Sequence, residues 1–330
     1  MARKTLGPYR AILVEKTGGP EVLKEVEIEL EPPGPGEALI RHHAVGVNFI
    51  DTYQRSGLYA VPLPAVLGSE AAGVVEEVGP GVDLAPGTRV AYASAGIGAY
   101  AEARVLSAER LVPLPDGVSE ETAAAALLKG MTVEYLIRRT YAVKAGETVL
   151  FHAAAGGVGL IACQWLKALG ARVIGTVSSD EKAALARAHG CDETIVYTRE
   201  DVATRVHELT GGRGVPVVYD SVGKATVPAS LDCLAPRGLL VSFGNASGKP
   251  DPLDLLTLSS KGSLFVTRPT LGHYVATRGE LLASSGALFE ELRSGRLEVH
   301  IDRRLRLSEA AEAHRALESR KTRGSLLLVP

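Results

Sequence analysis

At 330 residues the chain is long enough for two domains. Hydrophobic content of 46% and charged content of 22% are ordinary for a globular protein, and a net charge of −2 gives no general pull toward nucleic acid or an anionic membrane. No apolar run reaches the roughly 18 residues of a membrane span, and the charged start MARKTLGPYRAILVEKTGGPE holds no apolar signal-peptide core, so a cytoplasmic location is expected.

Residues 1–126 are dense in proline and glycine: PPGPGE at 32–37, VGPGVD at 78–83 and LAPGTRV at 84–90. Between them lie short alternating or apolar segments such as ALIRHHAVGV and EAAGVVEEV. That pattern predicts a compact β-rich domain with many turns. His42 and His43 are neighbours in a predicted strand, so they point to opposite faces. The other histidines are isolated, and none is assigned to a metal. Helical periodicity covers 120–136, around AAAALLKGMTVEYL.

After Gly146 the rhythm changes to alternating strands and helices. Strands are predicted at 148–152, 172–177, 193–197, 215–220, 238–243 and 263–267. Six strands in this order predict an α/β fold, an open, doubly wound parallel sheet of Rossmann type. The first strand, TVLF at 148–151, runs into a turn of form A-x-x-G-x-x-G, from Ala153 through Gly156 to Gly159. Glycines let backbone N–H groups approach a pyrophosphate closely, at the positive end of the helix predicted over 160–169. A nicotinamide or flavin enzyme is therefore the first expectation, against glycines needed only for packing. Past Pro269 the chain is helical at 280–294, strand-like at VHIDRRLRL, helical at 308–319 and apolar at GSLLLVP. This tail is expected to complete the first domain, with the ligand cleft between domains.

Cys163, Cys191 and Cys233 are an odd, scattered set with no C-x-x-C, two of them in predicted helices, which argues against a disulfide scaffold. Asn48, Asn245, Gln54 and Gln164 are the only side-chain amides. With abundant Arg and Glu this fits a thermophilic source, although a GC-rich genome produces a similar bias.

The chain resembles the medium-chain dehydrogenase/reductase superfamily, and within it the zinc-free quinone oxidoreductases related to zeta-crystallin. The resemblance is carried by GGPEVL (18–23), VGVNFIDTYQRSGLY (45–59), LGSEAAGVVEEVGPGV (67–82), LLKGMTVEYLI (127–137), FHAAAGGVGLIACQWLKALGA (151–171), VVYDSVG (217–223), LLVSFGNASG (239–248) and FVTRP (265–269). It implies a GroES-like domain from 1–126 and 270–330, a Rossmann domain over 127–269, NADPH as cofactor and a homodimer. Zinc-dependent relatives carry a cysteine near Asn48 and a G-H-E motif. Here the chain reads Val47-Asn48-Phe49 and Gly68-Ser69-Glu70, so the thiolate and imidazole donors that zinc prefers are missing. Reduction of an already electrophilic acceptor becomes the better hypothesis.

An NAD enzyme usually ends its second strand with Asp or Glu for the ribose 2′-hydroxyl. Here Val177 is followed by Ser178 and Ser179, and Asp180 and Glu181 read as helix caps and dipole partners. Lys182 is either a 2′-phosphate partner or a solvated helix lysine. The resemblance puts Lys182, Tyr197 and Arg320 around that phosphate. It puts Ala155, Gly156, Gly157, Val158 and Gly159 at the diphosphate. Asn48, Lys129, Thr132, Tyr135, Ser178, Ser179, Ser221, Phe243, Gly244, Asn245, Val266, Thr267 and Arg268 complete the cofactor set. Asn48, Asp51 and Tyr53 are the candidate catalytic residues, with Tyr53 either a donor to developing oxyanion character or a core aromatic.

The expected activity is NADPH-dependent quinone reduction. Alternatives are an enone or enal reductase and a crystallin-like NADPH- or RNA-binding protein, although no basic stripe with interleaved aromatics supports nucleic acid. Strands at 239–244 and 263–269 are candidates for edge pairing in a two-fold dimer.

Overall fold

The computed structural model describes residues 5–330. They form two compact units: one holds the described residues up to Lys129 with Val275–Arg293 and Ile301–Pro330, and the other holds Gly130–Tyr274 and Ser294–His300. The expected bounds fell at 126/127 and 269/270. The division falls between Lys129 and Gly130, inside a continuous helix, and between Tyr274 and Val275, and it assigns Ser294–His300 to the second unit.

The first unit begins with β1 (Leu6–Val14), β2 (Lys24–Leu30), β3 (Glu37–Val47), α1 (Phe49–Ser56), β4 (Ala65–Val66), β5 (Glu70–Val78), β6 (Arg89–Ala93), β7 (Ala103–Ser107), β8 (Val112–Pro113) and α2 (Glu120–Tyr135). Proline and glycine fall in the turns between many of these strands. In β3, His42 is buried and His43 exposed, on opposite faces of the strand as predicted.

The second unit follows with β9 (Thr148–Phe151), α3 (Gly157–Ala168), β10 (Arg172–Val177), α4 (Asp180–Ala188), β11 (Glu193–Val196), α5 (Val202–Thr210), β12 (Val215–Asp220), α6 (Val227–Asp232), β13 (Leu234–Ser242), α7 (Leu255–Ser260), β14 (Phe265–Thr267) and α8 (Leu271–Tyr274). The sheet order is β11-β10-β9-β12-β13-β14, all parallel. The strand order reverses between β9 and β12, and ligands of such sheets collect at the carboxyl ends beside that switch. Leu150, Ile174, Ile195, Val218 and Leu240 fill the core beneath it.

The chain then returns to the first unit through α9 (Arg278–Arg293), β15 (Ile301–Arg306), α10 (Ala310–Glu318) and β16 (Ser325–Val329). The larger sheet of that unit runs β15-β16-β3-β5-β6-β8, with β7 on β3, and a smaller one runs β2-β1-β4. Leu326–Leu328 of the tail pair antiparallel with Val45–Val47. Tyr92, Tyr100, Leu111 and Leu326 lie in the core of this unit.

Several boundaries differ from the sequence reading. α3 starts at Gly157 instead of 160, and α2 ends at Tyr135 in a π-helical turn, Leu136–Thr140. β13 starts at Leu234, and its register with β12 shifts between Leu234 and Leu239, where Arg237 takes φ 63° in the left-handed region. Only Cys163 lies inside a helix, since Cys233 caps the end of α6 and Cys191 precedes β11. All three are buried and free. Two of them are neighbours in space: a hydrogen bond between the Cys163 and Cys191 thiols, with burial, pushes Cys163 well above the usual thiol range. Among the described residues no helix is long and apolar enough to cross a membrane.

Candidate active site

In the first unit, Asn48 follows β3 and caps α1. Its backbone N–H donates to Asp51 Oδ2 at 2.8 Å, and the Asp51 N–H returns to the Asn48 carbonyl at 3.0 Å. Asp51 also accepts from Ser69 Oγ at 2.9 Å and from the Tyr100 hydroxyl at 3.0 Å. Burial pushes its pKa up to about 6, although these three hydrogen bonds and the charge of Lys129 favour the carboxylate.

The Asn48 side-chain amide donates to Glu70 Oε2 at 2.9 Å. That oxygen lies 3.3 Å from Lys129 Nζ, and Glu70 Oε1 accepts from the Leu128 N–H at 2.5 Å. A Cβ on Gly46 would stand 2.4 Å from Glu70 Oε2 and 2.3 Å from the Ala124 carbonyl, so glycine makes room for this carboxylate. The fold thus joins Asn48 and Lys129 through Glu70, a residue the sequence reading did not assign. Its signal was the G-S-E triplet itself. Among the described residues no three or more His, Cys, Asp and Glu side chains gather to hold a metal, and the polar groups at 48, 69 and 70 are bonded within this cluster. Tyr53 is buried on α1, with its ring edge-on to Tyr59 at 5.2 Å, so it does make the core contact that was one of its two readings.

In the second unit, the turn after β9 brings Ala153 to φ 54° and leads into α3. A Cβ on Gly159 would meet the Ala153 carbonyl at 2.3 Å, so this glycine is needed for helix–turn packing. α3 has no side-chain cap and no acidic residue in its first turn. By contrast, Ser179 caps α4, Asp201 caps α5 and Asp254 caps α7. Uncapped N–H donors at the positive end of a helix fit the diphosphate of a dinucleotide. Ala155, Gly156, Gly157 and Val158 line this turn, with Ala155 itself buried.

Beneath the turn lies a buried relay that sequence reasoning missed. Ser230 Oγ donates to Asp220 Oδ2 at 2.8 Å, and His152 Nε2 lies 3.0 Å from Ser230 Oγ. The hydroxyl proton of Ser230 is committed to the carboxylate, so His152 Nε2–H is the donor. His152 Nδ1 then accepts from Thr176 Oγ1 at 2.9 Å, and Thr176 Oγ1 accepts the Ala153 N–H at 3.3 Å. Burial lowers the pKa of His152, which suits this neutral ring. Asp220 Oδ1 takes the Val222 and Gly223 N–H groups at 2.8 and 3.0 Å. The relay ties the carboxyl ends of β12, β9 and β10 to the start of the glycine turn. A histidine beside a glycine-rich turn was its only sequence signal.

Ser178, Ser179 and Lys182 follow the carboxyl end of β10 and Tyr197 that of β11, where the Tyr197 N–H donates to the Val177 carbonyl at 3.1 Å. The cap of α4 is Ser179 Oγ, accepting from the Lys182 N–H at 3.3 Å, and not Asp180 or Glu181 as expected. Serine fits because its backbone is extended one residue before the helix. Asp180 turns outward to Arg199, whose hydrogen bonds hold its carboxyl below the usual range.

At the ends of β12 and β13, a Cβ on Gly244 would stand 2.3 Å from the Ser221 carbonyl, so the two loops pack backbone to backbone. Arg268 reaches back from β14 to the Gly244 carbonyl at 3.2 Å. Ser221, Phe243, Gly244, Asn245 and Arg268 are therefore one cluster. Val266 is exposed and Thr267 half-buried on β14. Tyr135 stacks on Tyr274 at 4.3 Å and is buried, as is Thr132 one turn earlier on α2. Of the assigned cofactor residues, Asn48, Lys129 and Arg320 belong to the first unit. Arg320 is exposed, with φ 56°, between α10 and β16.

The family model for the alcohol dehydrogenase GroES-like domain matches residues 34–116, and that for zinc-binding dehydrogenase matches 157–279. A quinone oxidoreductase of Pseudomonas aeruginosa is 58% identical over 315 residues, covering 95% of this chain and 97% of its own. The chain belongs to the quinone oxidoreductase family. An Escherichia coli quinone oxidoreductase solved in complex with NADPH matches with a TM-score of 0.96 at 51% identity, covering 97% of this chain and 100% of its own. A 2-haloacrylate reductase of Burkholderia is 46% identical, covering 97% of this chain and 98% of its own. In this family member, then, an α/β Rossmann unit and a GroES-like unit carry the glycine turn and the Asn48–Glu70 cluster.

Proposed function

We propose that the chain is an NADPH-dependent quinone reductase that works without a metal. NADPH, when bound, supplies a hydride from nicotinamide C4. The protein's part is to bind, orient and exclude water. The carrying observation is the carboxyl end of the parallel sheet. The uncapped first turn of α3 offers N–H donors to a diphosphate, and Ser178, Ser179, Lys182 and Tyr197 offer hydroxyls and an ammonium to a 2′-phosphate. The nearby carboxylate of Asp180 is bonded to Arg199. Asn48, held by Glu70, orients a polar acceptor, and Tyr53 on α1 contributes shape. A quinone needs no dedicated protein acid, because its reduced oxygen takes a proton from water.

A second reading is reduction of an activated alkene, favoured by the similarity to a 2-haloacrylate reductase. Steady-state rates with a quinone panel and with an enone, enal and haloacrylate panel separate the two. Turnover of neither class, with tight NADPH binding, would leave the non-catalytic binding reading.

The same reading takes the protein as a cytoplasmic homodimer. Three free cysteines suit a reducing compartment. β14 is the edge strand of its sheet, and Phe265 (60% exposed), Leu255 (76%) and Leu256 (75%) leave apolar surface on that side. Sedimentation of Phe265→Asp tests this: the variant is expected to be monomeric, and an unchanged dimer would exclude this edge.

A further inference from the structure

α1 carries both Asn48, at its cap, and Tyr53, and it is held by a closed ring of hydrogen bonds within the first unit. The ring starts at Asp51, which accepts from the Tyr100 hydroxyl at 3.0 Å. The proton of that hydroxyl is engaged in the hydrogen bond to the carboxylate, so only its lone pairs face His314 Nε2, 3.0 Å away. His314 therefore carries its proton on Nε2. Its other nitrogen, Nδ1, faces Arg55 Nη1 at 3.3 Å. A guanidinium only donates, so Nδ1 must be a bare acceptor. Both neighbours demand the same neutral tautomer. Burial and the Arg55 charge push the His314 pKa down to about 3, in keeping with that assignment.

Arg55 stands one helical turn beyond Asp51 on α1, on the same face. It is clamped at 3.1 and 2.5 Å by Glu318 of α10, and its Nε donates to the Gly18 carbonyl at 3.0 Å. The path thus leaves α1 at Asp51, crosses Tyr100 and His314 on α10, and re-enters α1 at Arg55. Reversing the ring tautomer would set two donors against each other at Arg55 and two bare acceptors against each other at Tyr100.

We infer that Arg55, His314 and Tyr100 are positioning residues for the reaction, forming a tautomer-locked ring that fixes the first turn of α1 and with it Asn48. This rests on the reading of Asn48 as part of a reductase site. None of the three is assigned contact with cofactor or acceptor. They act through Asp51, whose remaining acceptor bonds go to Ser69 and the Asn48 backbone.

The test compares His314→Gln with His314→Leu in the full-length enzyme, using NADPH and a simple benzoquinone. Glutamine offers an N–H toward Tyr100 and an oxygen toward Arg55, whereas leucine preserves only volume. The expectation is that glutamine keeps kcat within about threefold and leucine loses about tenfold or more, the scale of one hydrogen-bond network, with KM for NADPH within about twofold in both. If leucine equals or exceeds glutamine, or if KM moves instead of kcat, the inference is overturned. In parallel, nitrogen-15 spectra of histidine-labelled wild type are expected to give a neutral His314 protonated on Nε2 at pH 7. A ring protonated on Nδ1, or a cation, overturns the inference even if neither variant folds. If wild type turns over neither quinones nor activated alkenes while the spectra give the Nε2 tautomer, the reductase reading fails and the ring stands as structure alone, which also removes its positioning role.

Discussion

The side-chain amide of Asn48 donates to Glu70 Oε2 at 2.9 Å, and Glu70 is completely buried. The same oxygen carries the ion pair to Lys129, whose side chain is only 7% exposed. A buried pair of this kind is weak evidence for net stability, but breaking it is costly because the remaining charge stays buried. Glu70→Ala is therefore expected to lose about 3–5 kcal/mol in urea unfolding. Adding Lys129→Met should restore part of that loss, and purely additive losses would show that the two charges are not coupled.

Tyr53 packs against Tyr59 and Phe49, at 5.2 and 6.1 Å between ring centres. Tyr53→Phe keeps that packing and removes the hydroxyl. Quinone turnover is expected to fall only modestly. A loss beyond about 10³-fold would place proton transfer by this phenol in the rate-limiting step.

His42 lies 2.7 Å from the Ala101 carbonyl through Nδ1 and 3.0 Å from the Tyr92 hydroxyl through Nε2, and burial pushes its pKa down to about 4. The unfolded value is about 6.5. Between these values the unfolded chain binds more protons, so stability rises with pH, and on the order of 3 kcal/mol from this ring is lost on acidification. His314 works in the same direction. Asp51 opposes them, because its pKa is raised to about 6 and the folded chain binds more protons below that pH. Chemical unfolding between about pH 4 and 6.5 should give a shallower slope for His42→Gln and a steeper one for Asp51→Asn. Unchanged slopes would contradict these assignments.

Much of this architecture was legible in the sequence because periodicity reports burial. TVLF and RVIGTV are apolar enough to be strands covered on both faces, and both are. What could not be read was any contact made across the chain. Ser230 and Asp220 are remote from His152 in sequence, yet they fix its proton. Glu70 was noticed only as the neighbour of a missing histidine, although its carboxylate holds Asn48. Ser179, assigned to the cofactor set from sequence, also caps α4, because a cap depends on backbone angles that composition does not report.

The relay under the glycine turn makes a separate claim. His152 holds Thr176 Oγ1, which holds the Ala153 N–H at the start of that turn. His152→Leu should weaken NADPH binding by about tenfold, read from nicotinamide fluorescence. A change under about twofold would mean that the turn keeps its shape without the relay.

The central claim is the cofactor, and kcat/KM for NADPH against NADH with one quinone acceptor tests it most directly, in wild type and in Lys182→Ala. Wild type is expected to prefer NADPH strongly, and the variant to lose much of that preference through a higher KM for NADPH while NADH is unaffected. Comparable kcat/KM for the two nucleotides in wild type would contradict the account.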